Sequence, residues 1–304
     1  PWRAMRFFGD PDAYLWLSFT RDLRTAGHFR VRRTQADNIP YGREMNHWAQ
    51  LPIWILAALS SAFERMADLS PPIALELAGR LLMPLAGFLF CAAIFLFIAR
   101  WINPVIAGVA AIPIAISSFY DFHPLRPDHH GFQTAFIVCS LLCLLCSGMG
   151  WSRTSAQSPS AGPDLLPPLA AARQRLIASG ILAGMALWMG ATVFTFILFA
   201  IATGTALALL LSSPPDGQSD ATLHPNLFRW WGLAGASSSL FFYLLEFAPR
   251  NFAMRLEVNH PLYALCLLGT AECLRAIACW KHRRSSFRRQ DGLAAGLGFL
   301  AASV

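Results

Sequence analysis

Apolar runs set the plan of this chain. Segments 73–98, 105–118, 131–150, 176–211, 230–245 and 261–280 are long and nearly free of charge. A helix needs about 20 such residues to cross a bilayer core of about 30 Å, so each run is read as membrane-spanning. Segment 176–211 fits two short spans with a turn near Gly190-Ala-Thr192. Segment 51–63, bounded by Asn46-His47 and Glu64-Arg65, is too short to cross and suits an interfacial helix. The expected architecture is an all-α, polytopic transmembrane helical bundle in two parts. Residues 1–72 form a large external loop that carries the interfacial helix, and 73–304 form a transmembrane domain of about eight spans. The chain opens on Pro1 and ends in the short apolar run 292–304, as expected of a piece of a longer protein.

Composition agrees with this plan. Hydrophobic residues make up 55% and charged residues 13%, against roughly 25% charged in soluble domains. Disorder, collagen and a disulfide scaffold are excluded. The net charge is +7, which in a soluble domain would suggest nucleic acid. Here the basic residues flank apolar runs, and the positive-inside rule accounts for them, so no nucleic-acid partner is expected. Lys281-His-Arg-Arg-Ser-Ser-Phe-Arg-Arg289 has no acid and should stay cytoplasmic. Counting back from it places 246–260 outside, 212–229 in a cytoplasmic loop, 151–175 in a cytoplasmic linker, and 119–130 and 1–72 outside. Cys139, Cys143 and Cys146 share a helical face with no His or acid between them, which indicates helix packing rather than a metal site.

Two acidic motifs fall on the same external side. The first is Gly9-Asp-Pro-Asp-Ala-Tyr14, followed by Arg21-Asp22; the second is Arg126-Pro-Asp-His-His130. A carboxylate and an imidazole at Asp128 and His130 could share a divalent cation, with a third ligand such as Asp12 from another loop. Carboxylates suit Mg²⁺ or Mn²⁺, and the imidazole shifts the balance toward Mn²⁺ or another transition metal. A metal held there could polarise a phosphate leaving group. The plainer alternative is that Asp128 caps the following helix while Asp10 and Asp12 shape a turn.

With these residues in view, the sequence resembles the catalytic subunits of oligosaccharyltransferases. These belong to the GT-C class of glycosyltransferases that use polyprenyl-phosphate sugars. The resemblance rests on Asp12-Ala-Tyr14 with Arg21-Asp22 behind it, on Asp128-His-His130, and on the non-crossing helix followed by two spans between them. It covers residues 9–135 with specific motifs, and beyond that only the helix count. The family's later external-loop Glu and its Trp-Trp-Asp motif are not identifiable here. The resemblance implies a metal-dependent membrane glycosyltransferase of the bacterial inner membrane, with a periplasmic active site. It also implies transfer from a polyprenyl-(pyro)phosphate donor to a protein, lipid or glycan acceptor. Asp12, Asp128 and His130 would be the catalytic metal ligands (Mn or Mg), with Asp10 the alternative to Asp12.

Other candidates to contact substrate are Tyr14, Arg126, His129, Arg43, His47, Arg250, Arg255, Glu257 and His260. Glu76 and Arg80, and Glu272 and Arg275, are spaced to pair along one helix face. A transporter would instead show broken helices, repeats and mid-membrane charges. A non-catalytic membrane subunit would keep the fold without the metal.

Overall fold

The computed structural model describes residues 11–45, 48–101, 103–117, 119–153, 166–211, 221–249, 252 and 254–283. They fall into two compact units, Pro1–Ala135 and Phe136–Val304. These units follow packing, whereas the boundary at residue 72 follows membrane side and stays a proposal.

In the first unit, helix α1 (Pro11–Ala26) opens on a proline, with Asp12 in its first turn and Arg24 in its last. Both charges complement the helix dipole. Gly27 follows at φ +62°, the left-handed conformation that ends many helices. The reading of Asp10-Pro-Asp12 as a turn is thus corrected at Asp12, which is helical; Asp10 lies outside the described residues. Strands β1 (Arg33–Thr34) and β2 (Arg43–Glu44) pair antiparallel. Helix α2 (Leu51–Ala67) extends the expected interfacial helix by four residues and stops at Asp68, φ 49°. Trp16, Phe19 and Leu23 of α1 pack on Ile53 and Leu56 of α2, and on Ala78, Leu82 and Met83 of the next helix. Arg24 fastens α1 to α2 through Ser60 Oγ at 3.0 Å and Glu64 Oε2 at 2.6 Å.

That next helix, α3 (Pro71–Trp101), has 31 residues and is about 46 Å long at 1.5 Å per residue, more than a bilayer core requires. Its Phe88, Leu89 and Leu96 stand exposed, as a lipid-facing surface demands. Glu76 and Arg80 pair at 3.3 Å as the spacing predicts. Helix α4 (Pro104–Ser117) is next in the chain, and helix α5 (His130–Cys146) runs from the first unit into the second.

In the second unit, strand β3 (Trp151–Arg153) pairs antiparallel with β4 (Ala221–Leu223). Helices α6 (Leu169–Met189) and α7 (Ala191–Leu211) meet at Gly190, so the 36-residue run is two helices. Helices α8 (Leu227–Phe247) and α9 (Pro261–Arg283) complete the nine helices of the described residues. The expected linker 151–175 and loop 212–229 therefore need correction. Each contributes a strand, and Arg173 and Arg175 belong to α6. Hydropathy missed the ribbon because it is three residues per strand.

Small residues bring α6 against α8. A Cβ on Gly180 would strike the carbonyl oxygen of Trp231, and one on Gly184 would lie 2.6 Å from Ser239 N. Close backbone approach through small residues drives helix association in lipid. Ser140 of α5 donates to Ser179 O at 2.8 Å, and Trp231 Nε1 donates to Ser179 Oγ at 3.1 Å. Among the described residues four helical segments are long and apolar enough to cross a membrane: Pro71–Arg100, His130–Gly150, Ala191–Leu211 and Pro261–His282. The molecule is an all-α, multi-pass helical bundle.

Candidate functional site

The loop between α4 and α5 is held by two glycines. A Cβ on Gly87 of α3 would lie 2.8 Å from Phe122 Cβ. One on Gly131 of α5 would lie 2.8 Å from the Phe122 ring and 2.9 Å from Asp121 O. Phe122 thus wedges the loop against both helices, and Thr134 Oγ1 donates to Asp121 Oδ2 at 2.8 Å. The wedge fixes Asp128 at the N-terminus of α5, where the helix dipole favours a carboxylate.

Asp128 is fully buried. Its Oδ1 accepts from Trp16 Nε1 at 3.2 Å, from the backbone N–H of His129 at 2.6 Å, and from His129 Nδ1 at 2.6 Å. These bonds replace the simple helix cap that the sequence left open. Its Oδ2 accepts no well-directed hydrogen bond; it faces Arg126 Nη2 at 3.3 Å and His130 Nε2 at 3.4 Å. Burial by itself would raise the Asp128 carboxyl. The His129 hydrogen bond and the charges of His129 and His130 outweigh it and bring the value down to about 2. Asp128 is therefore ionised at neutral pH and accepts at Oδ1, so His129 carries its proton on Nδ1 and keeps its lone pair on Nε2.

Aromatic rings enclose the carboxylate. Trp48 lies edge-on to Trp16, with ring centres 5.0 Å apart, and edge-on to His129 at 5.7 Å. Arg126 is shared: it faces Asp121 at 3.7 Å and lies over the Tyr120 ring at 4.3 Å. Its guanidinium would stay paired if it left Asp128.

The donor atoms of Asp128, His129 and His130 lie within 4.8 Å of one another. Two donors about 2.1 Å from one ion stand roughly 3.0–3.4 Å apart. The 3.4 Å between Asp128 Oδ2 and His130 Nε2 has that spacing. The buried oxygen without a directed hydrogen bond is the atom a cation would satisfy, so the residues fit a divalent ion. One carboxylate with imidazoles suits Mn²⁺ or a neighbouring transition metal. Asp12 is half-buried and stands one turn before Trp16 on the same face of α1.

Of the remaining candidates, Tyr14 lies on the other face of α1, in a groove shared with Arg21 and Pro71. Arg43 is on β2 and pairs with Asp37 at 3.0 Å. Arg255 and Glu257 are exposed in the second unit, and Thr192 donates to Glu257 O at 3.3 Å. His260 is buried, and its Nδ1 accepts from Leu262 N at 3.1 Å at the start of α9; burial lowers its pKa. Asp10, His47 and Arg250 lie outside the described residues. Sequence reasoning missed Trp16 and Trp48 as the enclosure of Asp128. The i, i+4 spacing of Asp12 and Trp16 was the available signal. It also placed Glu246 in an external loop. Glu246 is instead buried in the last turn of α8 and accepts from Trp188 Nε1 at 2.9 Å.

No protein-family model matches the chain, and no curated protein matches it by sequence. Solved structures do match. The chain is similar to Archaeoglobus fulgidus oligosaccharyltransferase tethered by a disulfide to an acceptor peptide containing the NVT sequon. That match has a TM-score of 0.66 and 18% identity, over 100% of this chain and 34% of that one. The apo form of the same enzyme matches with a TM-score of 0.65 and 17% identity, over 98% of this chain and 33% of that one. The chain thus has the GT-C fold of oligosaccharyltransferases and spans about a third of the length of the structures it matches.

Proposed function

We propose that the chain carries the catalytic membrane portion of a GT-C glycosyltransferase. It would transfer a sugar or oligosaccharide from a polyprenyl-(pyro)phosphate donor at the periplasmic face of a bacterial inner membrane. The carrying observation is Asp128: a buried, ionised carboxylate at the head of α5, bonded to α1 through Trp16 and facing His130 at 3.4 Å. The oligosaccharyltransferase fold around it supports the reading.

In this account Asp12, Asp128 and His130 hold a divalent ion, with Asp10 the alternative to Asp12. When bound, the ion would supply Lewis-acid stabilisation of the leaving phosphate. The chain's own residues do the rest. Trp16 and His129 fix Asp128 Oδ1, so that Oδ2 keeps its direction toward His130. Trp48, with Trp16, shields the carboxylate from water, which strengthens its charge interactions. Arg126 supplies a positive charge beside the site and Tyr120 supports it. The bond from the sugar's anomeric carbon to the donor phosphate oxygen breaks as the acceptor nucleophile bonds to that carbon; the lipid (pyro)phosphate leaves, and the nucleophile's proton passes to the released phosphate or to water. A peptide asparagine is the acceptor class favoured by the likeness to an enzyme tethered to a sequon peptide; lipid and glycan acceptors are the other options.

The test is transfer from a polyprenyl-diphosphate oligosaccharide to a fluorescent sequon peptide, using membranes that contain the full protein. Glycopeptide should form, stop on chelation, return with Mn²⁺, and be absent in Asp128→Asn. Transfer that survives both chelation and Asp128→Asn overturns the reading.

A further inference from the structure

The basic end of the second unit carries a separate cleft. Helices α6 and α8 begin at this end, and α7 and α9 finish there. Lys281 of α9 donates to the carbonyl of Leu209 on α7, and His224 N donates to Gly150 O at 2.8 Å beside the β3–β4 ribbon. Between the first turns of α6 and α8 lies a cleft of about 500 Å³. Leu169, Leu227 and Trp230 make its apolar wall, while Arg173, His224 and Asn226 supply its polar groups.

Among these polar groups Arg173 is the full cation, and His224 and Asn226 are neutral donors. Arg173 is exposed, with its guanidinium 5.8 Å from the Trp230 ring centre, and it forms no ion pair among the described residues. Burial lowers the pKa of His224, and the charge of His282 lowers it further, which places a second imidazole nearby. None of the lining residues is acidic. Trp230 is 46% exposed, and Leu233 and Leu240 continue an apolar, exposed strip along α8. Tryptophan and arginine at a helix end mark the water–lipid interface. A cationic rim that opens onto an apolar strip complements an anion with hydrocarbon attached, in the way basic pockets between membrane helices take lipid head groups.

We propose that this cleft binds the phosphodiester headgroup of an acidic phospholipid. Arg173 meets the phosphate by charge, the neutral His224 ring and the Asn226 amide donate to it, and the acyl chain follows Trp230, Leu233 and Leu240 along α8. Inorganic phosphate would answer Arg173 but leave the apolar strip unmatched. The site shares no residue with the Asp128 cluster, so its failure and the failure of the glycosyltransferase reading are distinguishable.

The full protein, reconstituted in nanodiscs of phosphatidylcholine with or without phosphatidylglycerol, is released and weighed by native mass spectrometry. Phosphatidylglycerol should be retained in preference to phosphatidylcholine. Arg173→Gln should lower that retention about fivefold, the effect of one basic residue at a membrane surface, and Arg173→Lys should restore most of it. If Arg173→Gln fails to fold, Asn226→Leu, an exposed position, carries the test and should also lower retention. Equal retention of the two lipids, or no loss in the variant tested, overturns the proposal. Displacement of the lipid by millimolar inorganic phosphate in detergent also overturns it, by showing a small-anion site.

Discussion

Trp16→Phe isolates the hydrogen bond that joins the two motifs. The substitution keeps an aromatic ring in a fully buried position but deletes the N–H that reaches Asp128 Oδ1 at 3.2 Å. A hydrogen bond to a charged group contributes about 1.5–3 kcal/mol. Here 3.2 Å is the long limit for N–H···O, and Oδ1 retains two donors from His129 at 2.6 Å. Both facts point to the lower figure, about 1.5 kcal/mol, or roughly tenfold in an equilibrium constant. The loss of ring volume adds a separate cost, so the single variant is not decisive. A double-mutant cycle with Asp128→Ala, which removes the accepting oxygen, cancels that cost. The four proteins are unfolded reversibly in mixed micelles with chelator present, followed by circular dichroism. The predicted coupling between positions 16 and 128 is about 1.5 kcal/mol. A coupling below roughly 0.5 kcal/mol, the level at which independent sites add, would refute the claim that α1 positions Asp128 through this bond.

Further outcomes follow from the packing. Gly131→Ala drives a methyl group into Phe122 and Asp121 O, and should lower stability by about 1–3 kcal/mol and weaken Mn²⁺ binding with it, read by thermal melting and metal titration. Gly180→Val sets side-chain carbon against the carbonyl of Trp231 and Gly235 N; a loss of about 3 kcal/mol, visible as early proteolysis between α6 and α8, is expected. Glu64 is held below the usual carboxylate range by its hydrogen bond to Arg24, against a smaller opposing effect of burial. Its folded pKa is depressed, so its contribution to stability is present above about pH 4.5 and fades as pH falls below that. Arg24→Gln should flatten this acid-side fall in melting temperature, and an unchanged profile would remove the ion pair from the account.

Much of the fold was legible because lipid imposes a length on apolar segments. The break at Gly190 and the short helix before α3 followed from run length alone. What stayed hidden has physical reasons. The β3–β4 ribbon is three residues per strand, too short to leave a two-residue periodicity. Glu246 looks like a loop residue in sequence, yet a hydrogen bond from Trp188, 58 positions away, holds it buried in α8. The second acidic motif was visible as Asp128-His-His130. Its enclosure was not, because Trp16 and Trp48 are apolar signals in a chain full of them. Tyr14 was grouped with Asp12 by sequence proximity, but two residues along a helix point nearly opposite ways, and the groove it lines is a different one.

The central claim is that the Asp128 cluster binds a divalent ion, and Mn²⁺ binding to the purified, chelator-stripped protein tests it most directly. Electron paramagnetic resonance counts free Mn²⁺ against protein. The account predicts one bound ion per chain, lost in Asp128→Asn and weakened at least tenfold in His130→Gln, on the scale by which altered metal-site partners reduce affinity by about 10–100-fold. Stoichiometric binding that persists unchanged in both variants, or no binding by the unaltered chain, would contradict it.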